Sequence, residues 1–316
     1  MARIAILDDY QDLSMTLADW SHVAAHNDIR VHRQPIPRSE IAAALADADI
    51  VCLMRERTAF DADVIAGLPN LKLIVTAGMR NAAIDIAAAH ARGITVCGTP
   101  GNSTATAELA LGLMLAVARS ISRETANVAG GGWQSTVGTE LAGKTLGLLG
   151  LGKLGARMAR LGRALDMDVV AWSENLDDAT AEAAGATRVS RDALFATSDV
   201  ISIHTRLSER TRGLVDARAF AAMKPSTILI NTSRGPIVDE AALIDALSNG
   251  RILGAGLDVF DEEPLPADHP LRTLSNVVAT PHLGYWTREN LAAWYQGMAD
   301  ACAAFTAGTP VNVLDG

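Results

Sequence analysis

Apolar residues in this chain fall into short runs of four or five, separated by stretches in which they recur every three or four positions. The short runs read as buried strands and the periodic stretches as amphipathic helices. In the first hundred residues the strand candidates are 3–7, 29–32, 50–54, 71–76 and 94–96. Between them, 14–25, 39–46, 62–68 and 84–91 have helical spacing and polar starts. This alternation predicts a parallel sheet covered on both faces. It breaks at Ile94-Thr-Val-Cys-Gly-Thr-Pro-Gly101, after which Asn102 or Ser103 can cap a helix running to about Arg119. Leu109, Leu111, Leu113, Met114 and Leu115 leave that helix almost no polar face, so it is expected to be buried between domains or subunits.

The alternation then resumes. Six strands are expected at 146–149, 169–172, 200–204, 227–231, 254–259 and 277–280, and one long helix at 286–307. The first of these strands leads into Gly150-Leu-Gly152-Lys153-Leu154-Gly155, which opens a helical pattern. A strand, a glycine turn and a helix N-terminus in that order make a dinucleotide site. Gly150 permits the turn, Gly152 lets the backbone approach a pyrophosphate, and Gly155 lets helix and strand pack closely. The unpaired N–H groups of the new helix receive the phosphates. The expected class is α/β, with two doubly wound parallel-sheet domains. Residues 1–98 and 284–316 would form a flavodoxin-like substrate domain, and 99–283 an inserted Rossmann dinucleotide-binding domain.

Composition narrows the partners. With 27 basic and 36 acidic residues the net charge is −9, which disfavours nucleic acid or an anionic membrane as the main partner. No apolar run approaches the roughly 20 residues of a membrane span. The start, Met1-Ala-Arg-Ile-Ala-Ile-Leu-Asp-Asp9, enters a strand directly and does not read as a signal peptide. Cys52, Cys97 and Cys302 are widely spaced and read as reduced core thiols of a cytoplasmic protein, with no metal site.

Open α/β sheets bind ligands beyond the C-terminal ends of their strands. Three reactive groups follow strand ends in the second half: Arg234, Glu263 and His282. An arginine offers a two-pronged, permanently charged donor for a carboxylate. A histidine exchanges a proton near neutral pH, and a carboxylate beside it fixes its tautomer. Taken singly, a loop Arg is more often an ion-pair partner and a lone His more often structural. Their joint placement after successive strands favours chemistry: with a nicotinamide nearby, these are the parts for hydride transfer to a 2-oxo acid.

Here the chain resembles the D-isomer-specific 2-hydroxyacid dehydrogenases nearly end to end. The resemblance is carried by Gly78–Asp85, Thr99-Pro-Gly-Asn, Ala107-Glu108, Leu141–Gly147, the glycine loop, Asn231–Asp239, Gly256–Pro264 and Thr280–Gly284. It implies that Arg234 is the catalytic arginine, Glu263 the glutamate and His282 the acid/base histidine. It further implies that Asp258 contacts the nicotinamide carboxamide, that Thr232 belongs to the cofactor site, and that the backbone at Gly78 and Met79 holds the substrate carboxylate. Domains that close over the substrate and a homodimer through the nucleotide-binding domain are also implied. Glu263 separates the chain from the related formate dehydrogenases, which carry glutamine there. Arg55 or Arg57 could contact the distal end of the substrate; a salt bridge to Glu56 or Asp61 is the alternative.

Two departures bear on the cofactor. Members that prefer NAD place Asp where this chain has Ser173, to bind the adenosine ribose. Glu174 could replace it or face solvent. The His-x-Pro-Leu turn reads His204-Thr-Arg-Leu207, and Arg206 could stack on adenine or meet a 2′-phosphate. NAD(H) is favoured and NADP(H) stays possible. The resulting expectation is an oxidoreductase moving a hydride between a nicotinamide cofactor and C2 of a small 2-oxo acid, such as glyoxylate or hydroxypyruvate, and its D-2-hydroxy acid. The alternative is a non-catalytic NAD-sensing regulator on the same fold.

Overall fold

The computed structural model describes residues 1–101 and 104–315. The chain divides into two compact units, Met1–Asn102 with Thr287–Gly316, and Ser103–Trp286.

In the first unit, strands β1 (Arg3–Ile6), β2 (Asp28–Val31), β3 (Ile50–Leu53), β4 (Leu73–Ala77) and β5 (Thr95–Thr99) form one parallel sheet in the order β2-β1-β3-β4-β5. This is the flavodoxin-like order, with its reversal of winding between β1 and β3. Strands β3 and β4 are buried along their whole length, as parallel strands covered on both faces require. The helix Arg288–Thr306 belongs to this unit. Thr287 caps it by accepting a hydrogen bond from the Asn290 amide, and it buries Leu291, Trp294, Tyr295 and Met298. Full burial of each large apolar side chain is worth about 1.5–3 kcal/mol.

The stretch 14–25 departs from the single helix its spacing predicts. It forms two short helices, Ser14–Leu17 and Ser21–Ala24, separated by extended backbone at Ala18. The cause lies in tertiary contacts. The indole of Trp20, 3% exposed, folds back to donate to the Ser14 carbonyl at 3.0 Å, and the buried Asp9 carboxylate accepts from the Leu13 and Ser14 amides. Those bonds compete successfully with one more helical turn.

In the second unit the sheet has seven parallel strands, β6 (Thr145–Leu149), β7 (Asp168–Trp172), β8 (Thr187–Arg188), β9 (Val200–Ile203), β10 (Ile228–Asn231), β11 (Gly254–Leu257) and β12 (Val277–Ala279). Their order is β12-β11-β10-β9-β6-β7-β8, a Rossmann arrangement with one further strand. The strand beyond the six expected is β8, two exposed residues long, with no apolar run to announce it. Two apolar clusters cover the sheet, one containing Leu149, Ile201 and Leu229, the other Leu148, Val200 and Ile230.

The apolar helix Thr104–Ala118 packs inside this unit, on β10 and β11, with Leu113 and Met114 buried. Gly256 makes the approach possible, since a Cβ there would lie 2.8 Å from that of Leu113. Of the five apolar residues that gave this helix no polar face, Leu113 and Met114 are buried in this unit's core, and Leu109, Leu111 and Leu115 stay half-buried. The cap expected at Asn102 or Ser103 lies outside the described residues. No single helix among the described residues is long and apolar enough to cross a membrane.

Candidate active site

The glycine loop sits where β6 turns into the helix Lys153–Ala164. Gly150 has φ +105°, and a Cβ on it would lie 2.7 Å from the Thr205 amide nitrogen, so only glycine fits. At Gly155 a Cβ would collide with the Gly150 carbonyl. Gly152, by contrast, has nothing within 4 Å of its Cβ position, which leaves open space beside the helix N-terminus. Lys153 is exposed and Leu154 half-buried on the first helical turn. Two side-chain atoms near strand ends on this sheet are enclosed without partners among the described residues, Thr232 Oγ1 and His204 Nδ1. The other ring nitrogen of His204 lies 2.8 Å from Ser202 Oγ, and burial pushes the His204 pKa down to about 4. Open space at Gly152, a helix N-terminus and enclosed polar atoms without partners among the described residues fit a dinucleotide.

Ser173, at the end of β7, is tied to the glycine loop. Its hydroxyl accepts the Leu151 amide at 3.0 Å and so ties the glycine loop to the neighbouring strand. Glu174 and Arg206 are both exposed, and no ion pair joins them among the described residues.

The ends of β10, β11 and β12 are followed by the three candidate residues Arg234, Glu263 and His282. His282 Nδ1 lies 2.6 Å from Glu263 Oε2, while Glu263 Oε1 accepts the Phe260 amide at 3.0 Å. Burial pushes the Glu263 pKa up, but the hydrogen bond and charge of His282, the Phe260 amide and the charge of Arg234 outweigh it and hold the carboxyl below its ordinary value. Arg234 follows β10, where Asn231 donates to its carbonyl at 2.9 Å. His282 and Glu263 are thus brought together, and the charge of Arg234 acts on the carboxylate electrostatically.

His282 adopts φ +54°, a conformation that costs a non-glycine residue about 1–2 kcal/mol. Asp258, fully buried, holds the turn in place. Its carbonyl accepts the His282 amide at 2.9 Å, Oδ1 accepts the Leu283 amide and the Thr280 hydroxyl at 2.7 and 2.6 Å, and Oδ2 accepts the Gly284 amide at 2.7 Å. Burial raises the Asp258 pKa despite these donors. Oδ2 takes a single hydrogen bond among the described residues, which leaves it one lone pair. Thr280 and Tyr285, whose ring meets His282 edge-on at 5.5 Å, were not singled out from the sequence. The only sequence signal was their position flanking Pro281-His282-Leu283-Gly284.

The remaining candidates belong to the first unit. Arg55 follows β3 with φ +56° and pairs with Glu56 at 3.4 Å; its guanidinium lies 5.8 Å from the Trp294 ring centre. Arg57 donates to the Asp8 carbonyl at 3.3 Å and covers the Tyr10 ring at 4.9 Å. Asp61, the other acid considered, instead pairs with Arg38 and caps a helix. Gly78, φ +88°, follows β4, and a Cβ there would lie 2.5 Å from an Arg55 guanidinium nitrogen. Met79 beside it is 44% exposed.

Comparison with known proteins places this geometry. Residues 111–284 match the model of the D-isomer specific 2-hydroxyacid dehydrogenase, NAD binding domain. The chain belongs to the D-isomer-specific 2-hydroxyacid dehydrogenase family. It is 40% identical over 269 residues to a hydroxypyruvate reductase of Thermotoga maritima, covering 83% of this chain and 86% of that one. It is 44% identical over 240 residues to a D-3-phosphoglycerate dehydrogenase of Archaeoglobus fulgidus, covering 75% of this chain but 46% of the relative. The chain thus spans about half the length of the phosphoglycerate dehydrogenases it matches. The crystal structure of a phosphoglycerate oxidoreductase from Vibrio cholerae superposes with a TM-score of 0.92 at 33% identity, over 98% of this chain and all of that one. The family's matched module binds a nicotinamide cofactor, and these relatives give no support to the regulator alternative.

Proposed function

We propose that this family member is an NAD(P)-dependent oxidoreductase that reduces the C2 carbonyl of a small 2-oxo acid, with the D-2-hydroxy acid as the partner in the reverse direction. The observation that carries this reading is the His282–Glu263 pair at 2.6 Å beside the charge of Arg234. With Nδ1 engaged by Glu263, the Nε2–H of the protonated ring is the proton donor to the carbonyl oxygen. Glu263, ionised, stabilises the imidazolium and fixes the ring's orientation. Arg234 binds the substrate carboxylate and polarises the carbonyl. The bound nicotinamide supplies the hydride. Asp258 holds the turn that presents His282 and offers its spare Oδ2 acceptor to the carboxamide.

The cofactor would lie along Gly150, Gly152, Lys153, Leu154 and Gly155, with His204 and Thr232 supplying the enclosed polar atoms. Ser173, already bonded to the loop, discriminates weakly, so NAD(H) is favoured by the charge of Glu174 while NADP(H) is also used, aided by Arg206. The first unit is the substrate domain, where Gly78 and Met79 bind the carboxylate and Arg55 and Arg57 serve the distal end. Pairing of two copies through the nucleotide-binding domain is supported by Ile121, Val128, Trp133 and Val137, exposed by 49, 53, 78 and 98%. Free, buried Cys52, Cys97 and Cys302 support a cytoplasmic setting.

The test is a panel of 2-oxo acids, glyoxylate and hydroxypyruvate among them, assayed with NADH and NADPH separately. Oxidation of either cofactor that depends on the oxo acid supports the reading. No oxidation with any member of the panel would overturn it.

A further inference from the structure

Glu263 stands in a stretch of chain that packing does not hold. Val259 and Phe260, which leave β11, are buried, but Asp261, Glu262, Glu263 and Pro264 are all exposed, and the next buried side chain is Leu271. A carboxylate that keeps a 2.6 Å contact with the His282 ring therefore depends on polar ties for its place. Its own Oε1 makes one, on the Phe260 amide at 3.0 Å. Arg272 makes others by donating to the Leu265 and Pro266 carbonyls, which closes the loop 261–272 on itself.

Glu240 ties this loop to a neighbouring element. It is the first residue of the helix Glu240–Ser248, which Asp239 caps. Its Oε2 accepts the Asp261 amide at 3.3 Å, and its Oε1 lies 3.0 Å from His269 Nε2. His269 Nδ1 accepts the Leu271 amide at 3.3 Å, so the neutral ring carries its proton on Nε2 and donates it to Glu240. The two side chains are largely enclosed, that of His269 14% and that of Glu240 22% exposed. One carboxylate thus grips the loop on both sides of Glu263, at 261 and at 269. Backbone contact lies beside this grip: a Cβ on Gly235, the residue after Arg234, would collide with the Phe260 carbonyl. The Asp261 carboxyl reports the same closeness, being pushed up by burial and then by the negative charge of Glu240, against the opposing charges of Arg212 and His269.

We propose that Glu240, held by His269, is a positioning residue for the reaction: by fixing the chain at 261 and 269 it keeps the Glu263 carboxylate on His282. This rests on the oxo-acid reductase reading and adds to it two residues that act through Glu263. Their effect belongs to the proton-transfer step, so kcat should drop while the KM for the oxo acid and the affinity for NADH stay close to wild type. Hydrogen bonds to a charged group of this kind carry about a 10-fold change in rate. Glutamine at 240 keeps one acceptor oxygen in place of two, and with it one of the two ties.

The experiment measures kcat and KM for the oxo acid that wild type reduces best, together with NADH affinity, in wild type, E240A, E240Q, H269A, E263Q and the double variant E240A/E263Q. E240A should lower kcat about 10-fold, with smaller losses in E240Q and H269A. KM and NADH affinity should stay within about twofold of wild type. In the E263Q background E240A should add less than about a twofold loss, because its target is already gone, whereas independent roles would multiply. H269A removes one tie and leaves the helix N-terminus untouched, so it carries the same tests if E240A does not fold. Hydrogen–deuterium exchange reads the tie without turnover: the amides of 261–265 should exchange faster in E240A or H269A than in wild type, while those of β10 keep their protection. Unchanged kcat, a loss confined to KM or to NADH affinity, an undiminished loss on top of E263Q, or unchanged exchange each overturns the assignment while the reductase reading stands. Silence of the whole panel in wild type overturns the reductase reading, and the exchange rates then decide for or against the Glu240 tie alone.

Discussion

Both sheets turn the chain through left-handed backbone just after their strands, but they hold those turns differently. On the seven-stranded sheet the turn at His282, φ +54°, is gripped by the carbonyl and both carboxylate oxygens of buried Asp258, and the ring itself by Glu263. On the five-stranded sheet the turns fall at Asp8, Arg55 and Gly78, with φ +61°, +56° and +88°. There the acids face inward, Asp8 onto Thr58 and Tyr10, and Asp9 onto backbone amides. One sheet uses carboxylates to hold a turn and an imidazole ring in place; the other buries Asp8 and Asp9 and holds Arg57 on a backbone carbonyl and a tyrosine ring.

This contrast breaks most sharply at His282. His282→Ala should lower turnover about 10²–10⁴-fold while NADH affinity, measured by fluorescence titration, stays close to wild type. Near-normal turnover would assign the proton to another group. Arg234→Lys should follow, with kcat/KM for the oxo acid down roughly 10–100-fold, because a point charge does not replace the fork. If only cofactor binding weakened, Arg234 would belong to the nucleotide site.

Smaller effects concern the cofactor. Ser173→Asp should shift preference toward NADH, although it also disturbs the Leu151 tie, so the ratio of kcat/KM for the two cofactors is the quantity to read. Arg206→Ala should weaken NADPH more than NADH, and equal losses would remove the phosphate contact.

On the seven-stranded sheet the candidate residues were legible in the sequence, because they sit in short motifs directly after apolar runs. Arg234, Glu263 and His282 were picked out that way, and the structure sets His282 against Glu263. Their supports were not, since Asp258 gripping the turn at 283 and 284 is a contact between strand ends that no local pattern displays. The same limit explains Ser173, whose bond to Leu151 spans 22 positions, and Asn81, whose clamp on Arg55 spans 26. Trp20 breaking the stretch 14–25 is a tertiary override of a correct local period.

The smallest expected effect is a pH dependence of stability. His204 has its pKa lowered from the ordinary 6.5 to about 4 by burial. Between those values the unfolded chain binds the proton more readily than the folded one, so this residue's contribution is fully present above pH 6.5 and is lost as pH falls toward 4. Thermal melts across that window should show a shallower acid decline for His204→Gln than for wild type. Parallel declines would mean that His204 is not the group responsible.

The central claim is that the candidate residues on the seven-stranded sheet perform a stereospecific carbonyl reduction. The most direct measurement is chiral analysis of the product formed from hydroxypyruvate with NADH, counted against cofactor consumed, in wild type and His282→Ala. The account expects D-glycerate from wild type, one molecule per NADH oxidised, and almost none from the variant. L-glycerate, a racemate, or undiminished product from His282→Ala would contradict it.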